Sequence, residues 1–489
     1  MEIEEAYKKV NAPKSETGLN KIKPTSRKRF LSLDALRGIA IIGMVFSGVF
    51  PHEAPWPKWM FHAQIGPPSF TYTPEVPGIT WVDLVFPFFL FSMGAAFPLA
   101  LRNKLEQGKM RKILQGILKR GFLLLFFAIV IRNLNWFGLE AAGWVNKLSS
   151  ILVFGSFFLV FMRFPKLLKS QQILIKLLGF SIIGALILGH EYFTSFSFDI
   201  ARNDIIIVVL ANMAVFGSLI WIFTHRNTLL RMGILAFFAG IWLTQDLDGS
   251  WTNSIWEFPS SLEWMYQFAF LKYLCIVLPG SVLGDLLLKY KGDTIAGRKT
   301  TQINALIGSL CFLFLLVNLY GLFTRQILLT LILNTAMGIL GMYLLRNPVT
   351  EREQLFRQLF GWGTFFLLLG IVFEPIDGGI KKDPSSFSFW FLTSGLGFYT
   401  FILCEIITEK LKDNPVWRSI IHSGQNPMVA YVAIAFLVSP LLSLTHVYWI
   451  FEELREINVY LGVVKAIVMT AAVVILTSFI TRKGWLWRT

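Results

Sequence analysis

An all-α, polytopic integral membrane helix bundle of about 12–14 transmembrane helices is predicted by three features of this 489-residue sequence. Hydrophobic residues make up 54%, charged residues only 15%, and the mean hydropathy is +0.59. A soluble domain of ordinary make-up carries roughly 25% charged residues. A chain this poor in charge is solvated by lipid, in spans of about 20 apolar residues each. The 46 Phe and 16 Trp fit rings that face lipid or sit at the headgroups. Cys275, Cys311 and Cys404 all lie in apolar runs, with neither a disulfide framework nor metal-ligand spacing, so no metal is expected.

Residues 1–30 are polar, hold eight Lys or Arg, and contain no signal-peptide apolar region. They read as a cytoplasmic basic tail, and 31–489 as one polytopic domain. Fourteen apolar runs follow, near 31–50, 80–101, 114–133, 147–163, 173–189, 204–224, 229–244, 264–288, 303–321, 326–345, 357–373, 389–408, 424–444 and 458–480. The short 229–244 run and the closely spaced pair 303–321 and 326–345 are the weakest, which leaves twelve or thirteen spans open.

Lys and Arg orient the chain. With the N-terminus in the cytoplasm and every run crossing, 34 of the 45 fall on the cytoplasmic side and 8 on the far side, while Arg37, Lys272 and Lys465 lie within spans. This is the positive-inside asymmetry, and it puts both termini in the cytoplasm. It also accounts for the net charge of +15 as loop charge against anionic lipid, so no nucleic-acid partner is expected. The far-side loops are acidic and aromatic. The longest, 51–79, is rich in Pro and Trp and holds two of the six histidines. A long loop stiffened by proline is where chemistry is expected.

Four places carry candidate residues. Asp34 and Arg37 are three apart and share a helix face at the cytoplasmic start of the first span. One reading is an ion pair easing a charge through the interface; the other is an arginine that receives an anionic ligand, held by Asp34. His62 lies in KWMFHAQIGP. Asp83 lies about one turn inside the next apolar run, ITWVDLVFPFFLFSMG, where an unpaired carboxylate is expensive. His62 is a candidate partner, and a histidine oriented by a buried aspartate suits a general base or covalent carrier. EPIDGGIKKDPSS at 374–386 reads as a polar turn on the same side. Asn426, before Pro427, reads as a helix start carrying an amide near the cytoplasmic interface. Walker A and HExxH patterns are absent, and few ionisable groups lie at mid-membrane, which weakens a proton-coupled transporter reading.

Taken together, SLDALRGIAIIGMVF, then FHA, then ITWVDLVFPFFLFSMG resemble the heparan-α-glucosaminide N-acetyltransferase family of transmembrane acyltransferases. EPIDGGIKKDPSSFSFWFLTSGLG, followed by GQN and Pro427, is similar to that family's late segment. The resemblance covers 31–101 and 355–440, is poor over 130–345, and is nearest to a bacterial branch. It implies an integral protein of the bacterial inner membrane that moves an acetyl group from cytosolic acetyl-CoA, as co-substrate, to a terminal glucosamine-like amino sugar across the lipid bilayer. It implies catalytic roles for His62, in the family's His-Ala pair, and for Asp83. It places Asp34, Arg37 and Asn426 in the motifs toward the CoA side. Two departures are visible: Gly48 stands where members often carry Asn, and the insertion between His62 and the second span is longer. A homodimer is compatible with these features. The alternatives are a carrier of a free or lipid-linked sugar that does no chemistry, and an O-acyltransferase of a surface glycan. The wider LDxLRG acyltransferases share the first-span motif but typically carry a histidine within that span, and 39–50 has none.

Overall fold

Lipid offers no partner to a backbone N–H or C=O, so each apolar run must satisfy its own polar groups, and a helix does so within one segment. The computed structural model describes residues 29–488 except 54, 135–142, 166, 194–195, 257–261, 291 and 293–297. The basic tail expected over 1–30 lies, but for its last two residues, outside the described residues.

The first half holds α1 (Leu31–Val49), α2 (Trp81–Glu106), α3 (Met110–Asn133), α4 (Trp144–Phe161), α5 (Lys169–Phe193), α6 (Ile205–Thr224), α7 (Thr228–Leu243) and α8 (Phe268–Lys289). The second half holds α9 (Arg298–Phe323), α10 (Ile327–Leu344), α11 (Glu351–Phe373), α12 (Phe387–Leu411), α13 (Pro415–Gln425), α14 (Pro427–Leu444), α15 (Val447–Ile457) and α16 (Leu461–Arg482). Among the described residues thirteen of these are long and apolar enough to cross a membrane. The protein is a polytopic helical membrane protein.

The weak pair 303–321 and 326–345 forms two full helices, α9 and α10, joined through reciprocal amide bonds between Asn318 and Asn334 (2.8 and 2.9 Å). The short run at 229–244 becomes α7, with 16 residues. At roughly 1.5 Å per residue it is about 24 Å long. Near its start Arg231 pairs with Asp285 at the end of α8 (2.6 Å). Near its end Trp242 packs on Trp390 at the start of α12 (5.5 Å between rings). It lies beside α8 and, at 16 residues, is apolar but shorter than the thirteen span-length helices. Arg29 and Arg488, from the two ends of the described chain, line one cavity. The run at 424–444 is interrupted at Asn426: α13, not expected as a helix, ends at Gln425, and α14 follows from Pro427.

Close helix contacts are made where a side chain is missing. A Cβ on Gly424 would stand 1.7 Å from the Asp34 carbonyl oxygen, and one on Gly38 would stand 2.0 Å from that of Ile420. These two glycines let α13 lie against α1 backbone to backbone, the small-residue packing that helices in lipid favour. Gly94 and Gly280 do the same for α2 and α8. Two-residue strands, β1 (Met162–Arg163) and β2 (Leu486–Trp487), pair antiparallel and pin the end of the described chain to α4.

Candidate active site

Two polar centres sit at opposite ends of α1 and α2. At the first, Asp83 is the third residue of α2, where the first-turn N–H groups favour a carboxylate. Its Oδ2 accepts from the backbone N–H of Thr80 (2.9 Å) and of Ala63 (3.2 Å). Its Oδ1 lies 2.6 Å from His62 Nδ1. The carboxylate is 1% exposed and the imidazole 30%. The expected pairing is therefore geometrically present, and two backbone donors reinforce it. A carboxylate at Nδ1 assigns the proton to that nitrogen and leaves the lone pair on Nε2.

The turn 374–386 closes over this pair. Gly78 N–H donates to Ile380 O (2.8 Å), and buried Gln64 exchanges two hydrogen bonds with the backbone of Asp383 (2.5 and 3.1 Å). The Tyr72 hydroxyl donates to Asp383 O (2.6 Å). This clamp seats Lys382 Nζ 3.1 Å from both ring nitrogens of His62. An atom that close to both cannot approach in the ring plane past Cε1, so the amine stands over the imidazole face. Burial pushes the Lys382 ammonium down in pKa, against the opposing pull of Asp83 and Asp383.

Other polar groups nearby are structural. Asp377 accepts from Ser388 N–H (2.7 Å) at the start of α12, and burial pushes its carboxyl up in pKa. Glu374 pairs with Arg325. His52 bonds Phe50 O (2.9 Å) and packs on Phe61 and Phe70, with no contact to the His62–Asp83 pair.

The second centre is a cavity of about 270 Å³ whose polar walls include Arg29, Arg37, Arg120, Gln425 and Arg488, with Trp487 beside them. Arg37 donates to Ser92 Oγ (3.3 Å), Ser92 O (3.2 Å) and Gly424 O (3.3 Å). The Asp34–Arg37 pair expected from spacing is long, at 3.5 Å. The short partner of Asp34 is Arg29, at 2.6 Å. Spacing of three permits a pair but does not require one, and Arg37 finds its acceptors across the helix contact instead. Arg120 Nε is buried without a hydrogen-bond partner. Burial, with Arg163 and Arg29 near, pushes Arg488 down in pKa. Four guanidinium groups that outnumber the carboxylates beside them give this end a local excess of positive charge.

Asn426, expected among the ligand-binding residues, is not on that wall. Its amide donates to Thr481 Oγ1 (3.2 Å) and Trp485 O (2.7 Å), and its oxygen accepts from Trp487 N–H (2.8 Å). With all three bonds spent, it positions Trp487 and touches nothing in the cavity. Arg120, Arg488 and Lys382 were not singled out from sequence. Arg120 had a signal, a cation at the very start of an apolar run; the other two had none.

An apolar throat adjoins the arginine cavity. A void of about 10 Å³ shares Phe89, Leu210, Pro427 and Met428 with the arginine cavity and extends toward Phe86 and Met44. It holds one water at most. Among the described residues there is no group of three His, Cys, Asp or Glu placed to hold a metal ion.

Residues 29–287 match the profile of the family described as "Domain of unknown function (DUF5009)", which takes in α1–α7 and nearly all of α8. Heparan-alpha-glucosaminide N-acetyltransferase of Homo sapiens is 36% identical over 110 residues, 22% of this chain and 14% of that protein. The Mus musculus protein of the same name is 32% identical over 114 residues, 23% of this chain and 15% of its own length. The matched stretch thus spans about one seventh of either relative.

Proposed function

The chain belongs to the DUF5009 family, and from the geometry of its two centres we propose that it is a transmembrane N-acetyltransferase. Acetyl-CoA binds at the arginine cavity, which faces the cytoplasm. Its acetyl group reaches His62, where the amine of a glucosamine-like sugar on the far side receives it. The observation that carries this reading is the pairing of His62 with buried Asp83 in a chain whose α1 also contributes Arg37 to a four-arginine cavity. The limited likeness to the human and mouse acetyltransferases supports the same class.

The chemistry follows from the side chains. A thioester is already activated, so the acceptor amine needs only a base as it attacks. Asp83 holds the imidazole in the tautomer that offers Nε2 and stabilises the imidazolium that forms. The guanidinium groups supply charge-assisted bonds to the CoA phosphates, and the throat takes the pantetheine arm after Phe89 and Met428 turn aside. Each phosphate contact of this kind contributes roughly 1.5–3 kcal/mol. Arg37→Ala is therefore expected to weaken acetyl-CoA binding about ten-fold or more, since about 1.4 kcal/mol is one decade. Calorimetric titration of the purified protein checks this, and unchanged affinity in a folded variant returns Arg37 to a purely structural place. Transfer of labelled acetyl from acetyl-CoA to glucosamine in detergent tests the activity itself; a chain that binds no CoA at millimolar concentration is not this enzyme.

Sidedness is tested separately. With the 34-to-8 split of cationic residues, Lys58→Cys is expected to react with an impermeant maleimide added outside intact cells, and Lys109→Cys only after lysis. The opposite pattern reverses the orientation.

A further inference from the structure

Building on the acetyl-transfer reading above, we infer that Lys382 is the oxyanion donor of this site: its ammonium receives the negative charge that develops on the acetyl oxygen. Position is the first argument. Nζ lies 3.1 Å from His62 Nε2, so an acetyl carbon brought to that nitrogen, or to an amine hydrogen-bonded to it, carries its oxygen within hydrogen-bond reach of Nζ.

Elimination is the second. The other donors around the ring are spent: the N–H groups of Ala63 and Thr80 on Asp83, and that of Asp383 on Gln64. Among the described residues no carboxylate oxygen lies within 4.0 Å of Lys382 Nζ, so its hydrogens are not held in an ion pair. Asp83, Asp383 and, more distantly, Lys272 through Asp383 are the charges that act around it.

Preorganisation is the third. A lysine stem is flexible, but the backbone beside it is held by Gln64 and Tyr72, both on the His62 loop. A donor fixed before reaction loses little on reorganisation, which is what makes an oxyanion site effective. Burial, which lowers the ammonium pKa, also favours passing its charge to an anion that forms beside it.

The step balances. The acceptor nitrogen bonds to the acetyl carbon and its proton passes to Nε2. The carbonyl π pair moves to oxygen and is held by the Lys382 N–H. When that pair returns, the C–S bond breaks, and the sulfur leaves with the proton from the imidazolium. An amide and the CoA thiol result.

The test is Lys382→Cys followed by aminoethylation with 2-bromoethylamine, which rebuilds an amine at the same reach. Cys275, Cys311 and Cys404 are buried and leave the new thiol as the reactive one. Loss of one oxyanion donor lowers kcat by about 10²–10³-fold, and that is the result expected for Lys382→Cys, with the KM for acetyl-CoA nearly unchanged. Aminoethylation is expected to recover most of the loss, and recovery also shows that the variant is folded. Turnover by Lys382→Cys within about threefold of the parent overturns the assignment, as does a loss that aminoethylation leaves untouched while acetyl-CoA still binds. A parent protein that transfers no acetyl group to any amine overturns the acetyltransferase reading instead, so the two failures are distinct.

Discussion

His62→Ala is expected to lower acetyl transfer by about 10²–10⁴-fold, the usual range for a lost general base, while acetyl-CoA affinity stays near that of the parent. The separation of the two effects is the informative part. The imidazole is not among the residues that line the arginine cavity. Asp83→Asn is expected to cut the rate as well, by less. The amide oxygen can still accept from Nδ1, but it no longer stabilises the charged ring. His52→Ala serves as the control, because it shares the loop and bonds only Phe50 O. Single-turnover transfer of labelled acetyl, with binding measured in parallel, checks all three. Full turnover by His62→Ala removes the histidine from the mechanism.

Gly424→Leu is expected to disable the arginine end and lower stability together. A Cβ at this position meets the Asp34 carbonyl oxygen at 1.7 Å and the Gly38 backbone nitrogen at 2.6 Å, and neither is the tip of a side chain that can swing away. Overpacking in a close contact typically costs about 1–3 kcal/mol, and a backbone obstruction belongs at the upper end. The same shift moves the Gly424 carbonyl that accepts from Arg37 (3.3 Å) and the neighbouring Gln425 that donates to Asp34 (3.3 Å). A lower melting temperature with at least about ten-fold weaker acetyl-CoA binding is expected by thermal unfolding and titration. Gly48→Leu is the contrast: a Cβ there meets nothing within 4 Å, and stability should hold.

The spans were legible because an apolar run in lipid needs no partner to become a helix, so composition alone locates it. The His62–Asp83 pair was legible for the opposite reason: a carboxylate at the start of an apolar helix must be satisfied, and few groups lie near it in the chain. What escaped were contacts set by packing between distant segments. Lys382 is 320 residues from His62, and nothing in IKKDP tells which of two lysines will face the ring. Asp34 keeps the expected Arg37 at 3.5 Å but takes its shorter contact, 2.6 Å, from Arg29, which spacing within the helix did not point to. Asn426 stood in the right region but is turned toward the final strand, a direction that no local pattern encodes. The 16-residue α7 marks the limit of length as a criterion: it is apolar but short, and its two ends are met by Asp285 and Trp390.

The cavity that collects the arginines is assembled from both extremities of the described chain. Arg29 comes from just before α1, Trp487 from the strand paired with Met162–Arg163, and Arg488 from the residue after that strand. During synthesis, therefore, α1 and α2 enter the membrane long before the residues that complete this wall exist. Segments separated by about 460 positions meet only after α16 is in place, and such distant pairings are the slow steps of assembly. Nascent chains halted before residue 485 would already carry the His62 end, closed by its own loop and the 374–386 turn, yet lack Trp487 and Arg488 of the cavity wall. A complete cavity thus reports that the two ends of the described chain have been threaded and docked.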